Sequence, residues 1–189
     1  SADEAERSGT SQRALGLLEL ARSRGARVLG PNALCDRPRR FGDARVDVLA
    51  PCPGYDPGYD PNDNSLVIRI ALGARALLFT GDIEAHGEAA LLARGRSLKA
   101  DVLKVPHHGS RTSSGLPLLA AVAPTLAIVS AGAVNLFGHP HAETLARLRQ
   151  HSKRVIDLGE SGGTIVTLSA GAIDVNGRTD RVPGDRAAH

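Results

Sequence analysis

Asn62-Asp63-Asn64-Ser65, Thr80-Gly81-Asp82, Lys104-Val105-Pro106-His107-His108-Gly109-Ser110 and Gly138-His139-Pro140-His141 follow one another along the chain, each beside a short run of Val, Ile, Leu or Ala. Polar clusters at the ends of short apolar runs are what strands produce when they deliver side chains to one rim of a sheet. Asp and His gathered there are the raw material of a metal site. Working outward, Ser65 to Leu72 and Arg75 to Thr80 read as two strands joined by a Gly73-Ala74 hairpin. Ile83 to Arg94 then carries Ala89, Leu91 and Leu92 at helical spacing, with Glu84 and Glu88 early in the run. Asp101 to Val105 and Thr125 to Ser130 are further strands, separated by a helix that Ser113-Ser114 would cap. Pro140 suits a first helical turn, and Ala142 to His151 continues that helix. Strands alternating with helices define the class as α/β.

The flanks are simpler. Thr10 to Arg24 reads as a packing helix with an apolar stripe of leucines, ended by Gly25, and Ala26 to Leu29 as a short strand. Cys35 to Gly42, with three arginines, reads as a solvated loop. Val46 to Leu49 is a strand, and Gly54 to Asn62, rich in Gly, Pro, Tyr and Asp, is a long irregular loop beside the candidate site. Arg154 to Leu158, Gly163 to Leu168 and Ala172 to Val175 close the fold as strands. The expected organisation is one domain: 1–45 a leading helix and connecting segment, 46–175 the core, 176–189 a loose polar tail.

Composition narrows the function classes. The 189 residues are 42% hydrophobic but only 3% aromatic, so the core is aliphatic. A formal charge of +3 and a pI near 9.2 suit a polyanionic ligand, although solvated arginines give the same balance. No run reaches the ~18 apolar residues of a membrane span, and the start Ser1-Ala2-Asp3-Glu4 lacks an apolar signal segment, so the chain as given reads as soluble. Cys35 and Cys52 lack metal or redox spacing; a disulfide between them stays open.

Asp82 directly follows an apolar strand, where a carboxylate can bridge two cations; taken alone, it reads more readily as the N-cap of the helix that follows. His107 and His108 follow the next strand. Adjacent extended residues point to opposite faces, so unless the chain turns only one shares Asp82's face, and His107, nearer the strand end, is the preferred ligand. His108 then serves behind it or against substrate. Gly109-Ser110 offers a turn, a backbone N–H and a hydroxyl to an anion. His139 and His141 at a helix start suit phosphate binding or proton transfer; two exposed histidines on a capped helix are the plain alternative.

These four motifs, in this order, resemble the metallo-β-lactamase-like domain at the C-terminal end of the competence DNA-uptake channel family (ComEC). The resemblance spans roughly Val46 to Val175. It implies an αββα sandwich and metal-dependent phosphodiester hydrolysis of the DNA strand that is not imported. It implies further that Asp82 bridges divalent ions, Zn or Mn, two in the complete site. His107 and His108 fall at the last metal-ligand position. Asn64, Ser65, Lys104 and Ser110 fall beside substrate or behind the ligands. Single-stranded DNA and the rest of a multi-pass membrane channel are the implied partners, on the extracytoplasmic side of the membrane, with no nucleotide cofactor. One departure stands out: the superfamily's first H-x-H-x-D-H motif belongs upstream of the first helix, yet no histidine occurs from Ser1 to Asn62. The expectation is therefore the C-terminal portion of the fold, inactive by itself. A non-catalytic DNA-binding or channel-docking module and a small-molecule phosphodiesterase or lactonase are the alternatives.

Overall fold

A computed structural model describes residues 12–169, 171–176 and 178–180. Helix α1 (Gln12–Ser23) and the short α2 (Pro31–Leu34) precede a seven-stranded sheet in simple chain order: β1 (Arg39–Phe41), β2 (Ala44–Ala50), β3 (Val67–Leu72), β4 (Arg75–Phe79), β5 (Val102–Lys104), β6 (Leu126–Val129) and β7 (Arg154–Asp157). β1 through β4 pair antiparallel, as hairpins and one long return allow; β4 through β7 pair parallel. Parallel pairing needs crossovers. They are α3 (Ala85–Ala93), α4 (Leu116–Val122) and α5 (Ala142–His151). After the short α6 (Leu158–Ser161), β8 (Val166–Leu168), β9 (Ile173–Val175) and β10 (Arg178–Asp180) form a three-stranded antiparallel sheet.

The alternation of side chains along each strand assigns the two faces of the large sheet. Leu78, Leu103, Ala127 and Val129 join one buried cluster with Leu91 of α3, Leu118, Leu119 and Val122 of α4 and Leu148 of α5. Their sequence neighbours Val102 and Leu126, together with Ile156 of β7 and with Leu77 and Ile128 packed beside them, join Ile173 and Val175 of the small sheet. Both faces of β4 to β7 are therefore covered, which is why those strands read as nearly unbroken apolar runs. Three layers result: helices, mixed sheet, small sheet.

Several expectations change here. Arg39–Phe41 is not loop but strand, paired residue for residue with Ala44 to Val46. Ala26 to Leu29 makes no strand; Pro31–Leu34 forms a helical turn instead. The tail from Asn176 is not wholly loose, since Arg178–Asp180 pairs with β9, whereas 181–189 lie outside the described residues, as do Thr10 and Ser11. Leu17 and Leu20 of α1 remain 67% and 47% exposed, so the expected packing helix does not bury its apolar residues against the described chain. Periodicity reveals which residues are apolar, not what covers them. Cys35 and Cys52 form a disulfide that ties the end of α2 to the segment after β2. No helix among the described residues is long and apolar enough to cross a membrane.

Candidate functional site

Because β4, β5 and β6 are parallel, their C-terminal ends share one edge of the sheet, the edge where open α/β sheets bind ligands. β3 runs opposite to β4, so the segment entering it, Asn62 to Ser65, lies at that same edge.

The exit of β4 fixes Asp82. Thr80 is fully buried and donates its hydroxyl to the Lys104 carbonyl at 2.7 Å. Gly81 has φ +57°, and a Cβ there would come within 2.5 Å of Ser65 Cβ, so glycine alone permits the close approach of the two segments. Across that approach the Asp82 N–H donates to Ser65 Oγ at 2.9 Å. Lys104 Nζ donates to the Gly81 carbonyl at 2.8 Å and stands 3.4 Å from Asp82 Oδ1. Burial pushes the lysine below its ordinary pKa; the nearby Asp82 carboxylate opposes that shift. Asp82 is not the helix cap. The N-cap of α3 is Glu84, and the buried Asp63 carboxylate receives the N–H groups of Glu84 and Gly87 at 2.7 and 2.9 Å. Asp82 is thereby left available.

The exit of β5 overturns the opposite-faces expectation. His107 (φ 45°, ψ 44°) and His108 (φ 54°, ψ 20°) are both left-handed within the tight turn Pro106–Gly109, so the extended alternation does not apply. It is His108, not His107, that stands beside Asp82, with Nε2 3.6 Å from Oδ1. Its Nδ1 lies 2.6 Å from the Ser130 carbonyl, which can only accept. Nδ1 therefore carries a proton, and Nε2 is turned toward the carboxylate. His107 Nδ1 sits 2.7 Å from Glu84 Oε1 without hydrogen-bond alignment, and is buried with no aligned partner.

The third wall is the segment after β6. Gly109 has φ +82°, and a Cβ there would lie 2.7 Å from Pro140 Cβ; this contact joins the histidine turn to the start of α5. His141 is the N-cap of α5 and donates its N–H to the Gly109 carbonyl at 3.0 Å, while its Nδ1 is buried without a partner. Ring centroids run 6.3 Å from His107 to His108, 5.4 Å from His107 to His139 and 5.0 Å from His139 to His141. Burial, then the neighbouring imidazoles of His141, His107 and His108 and the Arg111 guanidinium, hold His139 below the ordinary histidine pKa.

The structure thus brings Asp82, Lys104, His107, His108, His139 and His141 together, with Ser65 behind Asp82. It does not bring the Asn64 side chain: its oxygen receives the Asp56 N–H and its amide donates to the Asp56 and Asp60 carbonyls, stapling the irregular loop. Ser110 is buried, and its Oγ meets Thr112 Oγ1 at 2.8 Å rather than an open cleft. Ser113-Ser114 do not cap α4 with their hydroxyls; the buried Glu88 carboxylate accepts the N–H groups of Ser114 and Gly115 instead. Glu84 escaped notice beside His107 because an acidic residue near a helix start is ordinary helix chemistry, and Asp63 because the helix it caps lies a hairpin further along the chain.

Asp82 Oδ1 and His108 Nε2, a carboxylate oxygen and an imidazole nitrogen 3.6 Å apart, are donor types that a divalent cation takes. Among the described residues no group of three or more His, Cys, Asp or Glu side chains is placed to hold one.

Residues 5–133 match the metallo-beta-lactamase superfamily, and the chain belongs to it. That is a hydrolase family whose members usually bind divalent metals, and the large mixed sheet accords with its fold. The chain is 39% identical over 120 residues to ComE operon protein 3 of Bacillus subtilis, covering 64% of this chain and 15% of that protein. It is 36% identical over 122 residues to competence protein ComA of Neisseria gonorrhoeae (64% and 18%), and 37% identical over 114 residues to recombination protein 2 of Haemophilus influenzae (60% and 14%). The resemblance to competence proteins read from the four motifs is met by these relatives, of which the chain spans less than a fifth.

Proposed function

We propose that this chain carries the distal part of a metal-dependent nuclease centre, in a competence DNA-uptake protein, that degrades the strand not imported. The observation that carries the reading is the Asp82–His108 pair at the carboxyl edge of the sheet, faced by the imidazoles of His139 and His141. Asp82 and His108 would hold a divalent cation, Zn or Mn, with further donors and a second ion supplied from outside the described residues. A bound cation would contribute Lewis acidity toward a phosphoryl oxygen and an acidified water. Ser65 holds the Asp82 backbone N–H, and Lys104 stands beside its carboxylate. The Ser130 carbonyl holds the His108 ring through Nδ1, as acceptors beside metal-binding imidazoles do. His139, kept neutral at pH 7 by its lowered pKa, offers an N–H to a phosphate oxygen or takes up a proton without first having to lose one.

The Cys35–Cys52 disulfide supports an extracytoplasmic setting, since such bonds persist in oxidising compartments. The remainder of the parent channel is the partner that would bring the missing donors.

The test is Asp82→Ala in the parent protein supplied with Mn²⁺ or Zn²⁺. Cleavage of a single-stranded oligonucleotide should fall by about a thousandfold or more. Undiminished cleavage in the variant sinks the assignment. Turnover of small phosphodiesters or lactones in place of oligonucleotides would redirect it to a small-molecule hydrolase. The count of only two well-placed donors among the described residues favours, as second reading, a DNA-binding or docking module, which would bind DNA with a steep salt dependence and take up no metal.

A further inference from the structure

The segment from Ala131 to His141 ends in side chains that the fold does not use. Val134, Leu136 and Phe137 are 98%, 100% and 76% exposed on one short loop. The loop's backbone is nevertheless held. Asn135 donates its amide to the Gly132 and His139 carbonyls at 2.9 and 2.6 Å, and its side-chain oxygen receives the His139 N–H at 2.9 Å. Apolar side chains clustered in water on a pinned loop mark a contact surface, already ordered before its ligand arrives.

Its position suggests what it contacts. The Phe137 ring lies 28° from parallel with His139, at a centroid distance of 5.8 Å, so the row of rings that begins at His107 continues through His139 to Phe137 at the rim of the site. No Lys, Arg, Asp or Glu occurs between Ala131 and His141. A loop meant for an anionic lipid surface would carry basic residues. A flat, uncharged ring next to phosphate-seeking imidazoles instead suits an unpaired base on the strand whose phosphate those imidazoles hold. In a duplex both faces of each base are already stacked, and the ring has nothing to receive.

We propose that Phe137, flanked by Val134 and Leu136, is a stacking platform for an unpaired nucleobase adjacent to the bound phosphate, which makes the site select single strands. This rests on the nuclease reading above. The experiment is fluorescence anisotropy of the chain with a labelled single-stranded oligonucleotide, a strand of the same length made of abasic sites, and the matching duplex. Wild type, Phe137→Ala, Phe137→Trp and Leu136→Ser are compared, with thermal unfolding confirming that each variant is folded. Phe137→Ala should weaken single-strand binding by about tenfold, Phe137→Trp should restore it, and the abasic strand should bind weakly and be indifferent to the substitution. Equal binding of base-bearing and abasic strands, or an unaffected Phe137→Ala, overturns the platform while leaving phosphate binding and the nuclease reading standing. Failure of every strand to bind wild type at low salt removes the nucleic-acid reading and the platform together. Loss of binding to phosphatidylglycerol vesicles in Phe137→Ala, with DNA binding intact, overturns the platform in favour of a membrane contact.

Discussion

The two walls of the site are built in opposite ways. On the β4–β5 side the working groups are tied to the sheet: Asp82 through Ser65, Lys104 through the Gly81 carbonyl, His108 through the Ser130 carbonyl. On the 131–141 side only the backbone is tied, by Asn135, and the apolar side chains stand in water. The groups proposed to hold a cation are thus tied to the sheet, and the side chains proposed to meet a base are left free on a loop whose backbone is pinned.

The strongest way to break the comparison is to part the two walls where they touch. Gly109→Ala places a Cβ about 2.7 Å from Pro140 Cβ at a φ of +82°. It should cost about 3 kcal/mol in urea unfolding, from backbone strain plus overpacking. Activity should be lost as well, since the His139 and His141 wall is pushed off. A stability unchanged within error would mean that the walls are not in contact in solution.

Removing the Cys35–Cys52 bond, by reduction or by Cys→Ser at both positions, tests the β2 edge of the sheet, which lies on the β4 side of the site. A 17-residue separation corresponds to about 3 kcal/mol, somewhat less where the reduced chain keeps structure. Hydrogen exchange should report the loss of protection at β1 and β2 and spare the 131–141 loop; an equal loss at both would show that the bond supports the whole sheet.

The smallest effect sharpens the β5 side alone. Glu88 is buried, and burial raises its pKa above the ordinary 4.5, opposed by the N–H groups of Gly115 and Ser114 and by the Arg147 charge. A carboxyl whose folded pKa is raised contributes stability fully below 4.5 and loses it as pH rises through the folded value. The difference in unfolding free energy between wild type and Glu88→Gln should therefore decline from pH 4 upward. A flat or rising difference would contradict the burial argument.

Much of the sheet was legible because β3 to β6 are bounded by Gly, Pro and Asp and β4 to β6 are apolar on both faces. β1 was not, since Arg39-Arg40-Phe41 on a solvated edge has the composition of a loop, and pairing with β2 is decided by a neighbour rather than by its own pattern. In the site, Asp82 taken alone read more readily as a helix cap, and only the Asp63 carboxylate on the Glu84 and Gly87 N–H groups removes that role. The exchange of His107 and His108 was not legible, because positive φ at two successive histidines contradicts every local preference of those residues and is imposed by the packing of Pro106, Gly109 and Pro140. Asn64 misled for a related reason: its amide can satisfy a loop as readily as a ligand, and only the surrounding carbonyls decide which.

By itself the sequence determined the class of the fold, the order of the chemistry-bearing segments and the likeness to competence proteins, since periodicity and spacing are local properties that survive without a structure. Tertiary structure alone decided that Asp63 rather than Asp82 caps α3, that His108 rather than His107 meets Asp82, and that Phe137 continues the row of imidazoles. Those are choices among chemically equivalent side chains. Only the fixed positions of other segments, brought to one edge by parallel strands, distinguish them.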